Sequence, residues 1–211
     1  MTASIHLFRN LIAELEASRE IDLIRGDVGE GSDPDYIQGF LKNNGFTASH
    51  SYLDFYAAVD AVVIEWVVTQ EAISRLGLET NMGVSGTINI PPFETVMLDL
   101  QSPDYWFNVA WNASADVRQP QEAPPFIPFD YFDADTSGCA CVEASAKHIG
   151  EALWYFDHQF GTHDLYLTIP NYCQHLTRTR GIYGWQRALI GGHTEFREQV
   201  DAAVAKLFGN V

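Results

Sequence analysis

Asp164 to Gln186, DLYLTIPNYCQHLTRTRGIYGWQ, changes its periodicity part of the way along. Asp164–Ile169 is apolar and strand-like. Pro170 then supplies the fixed backbone angle that suits a first helical position, and a helix runs on through Tyr172 and Leu176 to Arg180. Gly181 stands where a helix leaves through a left-handed residue. A strand that hands directly to a helix, in a chain whose other strands come in short runs, predicts an α+β domain.

Outward from this stretch the signals are local. Leu153–Phe156 reads as a strand, with Gly161 and Thr162 as the turn before the next one. Phe129–Asp135 leads into the polar turn Asp135-Thr136-Ser137-Gly138, and Cys139–Glu143 continues as the second arm of a hairpin. Four prolines between Gln119 and Pro128 predict an extended connector. Tyr105–Trp111, Thr87–Ile90 (ended by Pro91-Pro92) and the β-branched run Ala61–Val68 complete the strands. Thr69–Leu76 reads as one or two helical turns.

Towards the N-terminus, Ile5, Phe8, Leu11, Ile12 and Leu15 recur at helical spacing. Gly26, Gly29, Gly31 and Ser32 predict a flexible loop. Asp33 caps a helix that Pro34 opens and Gly45 ends; Ser49 caps another carrying Tyr52, Leu53 and Tyr56. Phe196, Val200, Ala203, Val204 and Leu207 predict a last amphipathic helix with Thr194 as its cap. The sum is a single α+β domain over residues 1–211, with a mostly antiparallel sheet of about five to six strands flanked by helices. Residues 34–190 form its core, 1–33 an N-terminal helix and loop, and 191–211 a C-terminal helix.

Twelve lysines and arginines stand against 28 aspartates and glutamates, a net charge of −16. Such a field repels nucleic acid and anionic lipid, so direct binding to either is not expected. The one basic cluster is Arg178, Arg180 and Arg187. Met1–Arg19 does not read as a secretory signal, because Arg9, Glu14 and Glu16 interrupt it. The most apolar run, Ala57–Val68, contains Asp60 and Glu65 and is too short to span a bilayer. Three cysteines, Cys139, Cys141 and Cys173, read as reduced thiols, and cytoplasmic residence is expected.

No nucleophile elbow, phosphate loop, dinucleotide fingerprint or zinc-protease helix occurs, and no catalytic, cofactor or metal residue is assigned. Gly191-Gly192-His193 reads as a flexible entry into the last helix rather than a phosphate site. Asp133-Ala134-Asp135-Thr136-Ser137-Gly138 has the oxygen spacing of half a calcium loop, but Ala144 stands where a bidentate glutamate belongs. A polar hairpin turn explains the same residues. Cys139 and Cys141 share one face of a strand; with His148 or His158 they could hold zinc, but small buried core thiols fit the spacing better. An enzyme built on Asp133, Asp135 and neighbouring histidines, such as His158 and His163, is the least favoured reading. The five tryptophans read as core and cross-strand residues.

The arrangement Leu165–Ile169, then Tyr172, Leu176, Arg180-Gly181 and Trp185-Gln186, resembles the end of SMI1/KNR4-like proteins, the SUKH superfamily. Asn43-Asn44-Gly45-Phe46, Tyr52–Tyr56, Glu65-Trp66 and Pro128-Phe129-Asp130-Tyr131-Phe132 are similar to earlier parts of that domain. The resemblance covers roughly residues 34–190. It implies a non-catalytic protein-binding role: many bacterial members are immunity proteins that neutralise a toxin, often a nuclease or deaminase, and fungal members are regulatory scaffolds. A basic toxin or nuclease domain is then the expected partner, with the regulatory scaffold as the alternative.

Overall fold

The computed structural model describes residues 5–78, 84–99, 126–132, 138–145, 147–157, 161–191 and 194–209. The expected strand Tyr105–Trp111, the turn Asp133–Ser137, His158 and His193 lie outside these residues. Among those described, the fold is α+β with two mostly antiparallel sheets. The elements run α1 Ile5–Ala17, β1 Ile21–Glu30, α2 Pro34–Asn43, β2 Thr47–Ala48, α3 His50–Ala58, β3 Val59–Val68, α4 Gln70–Leu76, β4 Ser85–Ile90, α5 Phe93–Asp99, β5 Phe126–Asp130, β6 Gly138–Ser145, β7 His148–Asp157, β8 Gly161–Thr168, α6 Ile169–Thr179, a 3-10 turn Arg187–Leu189, and α7 Thr194–Phe208.

The first sheet has the order β1-β3-β4, all antiparallel. The second has the order β2-β7-β6-β5; β8 also pairs with β7, and β2 joins β7 in parallel. They meet where β4 approaches β5: the Tyr131 N–H donates to the Asn89 carbonyl at 2.9 Å. One expected sheet of five to six strands is therefore two, with eight strands described. The extra members are the two-residue β2 and, above all, β1.

β1 corrects the first part of the loop expected over Gly26–Ser32: Gly26 to Glu30 are strand, and Gly31 and Ser32 remain as the link to α2. The glycines there answer to close approaches rather than to flexibility. A Cβ on Gly26 would come within 3.1 Å of Ile12 Cγ2, where α1 lies across the strand. One on Gly29 would meet the Ala61 backbone nitrogen at 3.2 Å. Small residues let neighbours close in on a strand as well as letting a chain turn.

The helix signals hold where they are local. Asp33 Oδ1 accepts from the Asp35 N–H, and Ser49 Oγ accepts from the Tyr52 N–H. At the end of α6 the left-handed exit starts one residue earlier than expected: Arg180 has φ 55° and Gly181 follows at 67°. Gly161 and Thr162, expected as a turn, open β8 instead. Part of the expected proline connector is strand, for Pro128 pairs with Cys141. A proline without an N–H is tolerated there because β5 is the last strand of its ladder among the described residues.

A large apolar cluster among the described residues holds most of the elements together. It runs from Phe8, Leu11 and Leu15 of α1 to Val200 and Leu207 of α7, so both terminal helices belong to the common core. Trp66 marks its joint. The indole donates to the Arg180 carbonyl at 2.7 Å and lies on Gly86, where any Cβ would sit 2.3 Å from the ring.

Candidate functional site

The candidate surface follows from the alternation of β3. Val62, Ile64, Trp66 and Val68 point into the core, so Ala61, Val63, Glu65 and Val67 take the opposite face. Strand register aligns their neighbours in rows. Asp22, Val67 and Ser85 lie side by side, as do Arg25, Glu65 and Thr87, and Asp27, Val63 and Asn89. Asp22, Arg25 and Asp27 are exposed, and the other members of the rows range from partly buried to exposed.

This face carries three carboxylates and one guanidinium. Arg25 Nε donates to Asp27 Oδ2 at 2.6 Å. That bond, followed by the charges of Asp27 and Glu65, holds the Arg25 guanidinium above its ordinary range against the opposing effect of desolvation. At the ends of β1, Glu20 pairs with Arg75, and Glu30 pairs with Arg9 at 2.5 Å. Apolar side chains stay uncovered beside the charges: Val67 is 37% exposed, and Ile24, thrown out by a bulge between Leu23 and Arg25, is 64% exposed. The arrangement can present an exposed, net negative patch with apolar contacts to another macromolecule.

The residues singled out in sequence are mostly taken up by the fold. In the basic cluster, Arg180 reaches Glu14 Oε1 through Nε and Nη2, and its guanidinium lies 4.7 Å from the Phe208 ring centre. Arg187 donates to Tyr155 Oη at 2.8 Å and to Asp157 Oδ2 at 2.5 Å. Cys139 and Cys141 sit with Phe126 and Phe156 in a small buried apolar cluster, and burial pushes the Cys139 thiol far above its ordinary range. Burial likewise raises Cys173. His148 Nδ1 bonds Thr47 Oγ1 at 2.9 Å. The His175 ring lies parallel to Trp185; partial burial, then Arg178, lower its pKa. Among the described residues, no three His, Cys, Asp or Glu side chains converge as a metal-ligand group. No helix among them is long and apolar enough to cross a membrane.

Sequence reasoning missed a buried polar chain. Asp130 Oδ1 accepts from the Asn89 N–H at 2.9 Å, and Oδ2 accepts from the Tyr172 hydroxyl at 2.7 Å. Tyr172 in turn accepts from Gln186 Nε2 at 3.1 Å. Burial pushes the Asp130 carboxyl up to about 6, while both hydrogen bonds pull it down. The chain ties β5, α6 and the 3-10 region to β4, so its evident role is to join the two sheets. It also missed the acidic face, because that face requires β1 to be a strand. The one available signal was the alternation Ile21-Asp22-Leu23, which Ile24 and then the glycines interrupt. No protein-family model matches this chain, and no curated protein matches it.

Proposed function

We propose that this protein is a non-catalytic protein-binding module of the cytoplasm, of the kind exemplified by SMI1/KNR4-like immunity proteins, and that its partner is a basic toxin or nuclease domain. The observation that carries the reading is the open face of the first sheet. Asp22, Asp27 and Glu65 stand there among uncovered apolar residues, in a chain with net charge −16. A nuclease cleft is basic because its substrate is anionic, and a strong negative field accelerates and orients docking into it. The residues that carry the family resemblance, Trp66, Tyr172, Trp185 and Gln186, are buried and engaged in packing. The exposed face is therefore the part free to match a particular partner.

Titration calorimetry and stopped-flow mixing with basic nuclease-toxin domains test this. Binding is expected to weaken steeply with salt. The double variant Asp22→Lys/Asp27→Lys is expected to lower the association rate at low salt at least tenfold while leaving the melting temperature within a degree or two. Salt-insensitive binding, or an unchanged rate in the variant, would remove the acidic face from the interaction.

A further inference from the structure

We infer that the outer edge of β1 is a docking edge: an extended, lysine- or arginine-bearing segment of the partner adds to it as a fourth strand of the first sheet. The inference rests on the binding-module reading and specifies how the partner is held. β1 is the end strand of its sheet, and β3 is its ladder partner among the described residues. An end strand offers a row of N–H and C=O groups along its free side, the groups through which an incoming strand gains affinity.

Two features distinguish this edge from a blunted one. Ile21–Glu30 is a full ten residues long without proline or lysine, and its charged side chains and two register irregularities confine the open stretch to Arg25–Val28. A groove of about 370 Å³ also opens beside it, lined by Arg9 and Ile12 of α1 and by Gly26, Asp27 and Val28 of β1. Gly26 leaves the strand side of the groove without a side chain and lets Ile12 of α1 form the other wall. A strand lying in it would meet Ile12 and Val28 with alternate side chains and the acidic face with the others. The regular part of the edge is Arg25–Val28, bounded by irregularities at Leu23/Arg25 and Val28/Glu30. The first irregularity is what brings Ile24 outward as an apolar contact.

Charge selects the occupant. A second copy of this chain sets −16 against −16, and net charge of one sign opposes association. Along Ile21–Glu30 the carboxylates of Asp22, Asp27 and Glu30 outnumber the one guanidinium, Arg25, so a basic segment meets net attraction.

The test uses the intact protein and three synthetic ten-residue peptides: one alternating lysine and valine, one alternating glutamate and valine, and the lysine–valine peptide with alternate backbone amides methylated. Binding is read by fluorescence anisotropy at low salt, and hydrogen exchange of residues 21–30 reports the edge. The lysine–valine peptide is expected to bind and to slow exchange over Arg25–Val28 at least tenfold. The other two peptides, and the Asp22→Lys/Asp27→Lys variant, are expected to do neither. Failure of the lysine–valine peptide to bind, binding without protection of β1, or equal binding of the methylated peptide would each overturn strand addition. Protection that develops with protein concentration alone, together with a doubled mass in sedimentation, would also overturn it by making a second copy the occupant. A nuclease-toxin domain that binds while β1 amides stay unprotected defeats the strand inference and leaves the binding-module reading intact. Absence of toxin binding alongside β1 protection by the peptide does the reverse.

Discussion

The two sheets are built from similar sequence and are buried very differently. β6 reads Gly-Cys-Ala-Cys-Val from residue 138, and all five of these residues are buried, so both its faces are covered. β3 is just as apolar, Val-Asp-Ala-Val-Val-Ile-Glu-Trp-Val-Val, yet only one of its faces is buried throughout. A continuous apolar run is the mark of a strand covered on both sides. β3 comes close to that mark, interrupted only at Asp60 and Glu65, and leaves Val67 open. The difference teaches where stability and recognition are separated in this molecule. Strands β5 and β6 of the second sheet have little surface to offer, and the first sheet has an apolar, charged face open to solvent.

The largest effect is expected from breaking the comparison directly. Cys141→Asp places an unpaired carboxylate among Phe126, Cys139 and Phe156. A buried charge without a partner costs about 4 kcal/mol or more, enough to unfold many domains of this size. Val67→Lys, on the outer face of β3, is expected to change stability by no more than about 0.5 kcal/mol. Urea denaturation of the two variants measures the contrast. A loss of 2 kcal/mol or more in Val67→Lys would mean that the first sheet is covered like the second.

Asp130 sits where the sheets meet and gives the next effect. Its carboxyl is held at about 6 against an ordinary value of 3.8, chiefly by burial. Between those values the folded state holds a proton that the unfolded state releases. The contribution of this group is therefore most favourable below pH 4 and is lost as pH rises through 6, by on the order of 3 kcal/mol in all. Asp130→Asn removes the titration. The stability of the native protein minus that of the variant, measured by denaturation from pH 4 to pH 7, is expected to fall with pH. A flat difference curve would show that the carboxyl has an ordinary pKa in the fold, and that the joint between the sheets is wetter than its burial implies.

What the sequence discloses divides along the same line. Asp33 and Ser49 announce their helices because a cap acts within three residues. The run Ala61–Val68 announces β3, since β-branching is a property of each residue alone. β1 is hidden because Gly26 and Gly29 answer to Ile12 and Ala61, which are 14 and 32 residues away. The acidic face is hidden with it: Asp22, Glu65 and Asp27 become neighbours only through the register of β1 on β3. Asp130 and Tyr172 are 42 residues apart, and neither carries a local sign of the other. Local chemistry therefore gives the elements, while pairing in space gives the surface on which function is proposed.

The smallest effect compares the end strand of the first sheet with that of the second. Where β1 uses glycine at its close approaches, β8 places Tyr166 in the left-handed region at φ 55°, with its N–H tied to Asp164 Oδ1 at 2.7 Å. The register on β7 steps from Asp164 to Leu167 there, so the residues between are bulged out of the ladder. The ring is 87% exposed and gains little from burial to offset a backbone conformation that disfavours a side chain. Tyr166→Gly is therefore expected to stabilise the protein by about 1 kcal/mol, raising the melting temperature by roughly 2–4 °C. Calorimetry decides it. If the variant melts lower, the ring makes contacts that outweigh the strain, and the β8 edge is a packed part of the fold. If it melts higher, a tyrosine is being held outward at a cost to stability. The second sheet would then have, at its end strand, the same separation of stability from exposure that the first has across its open face.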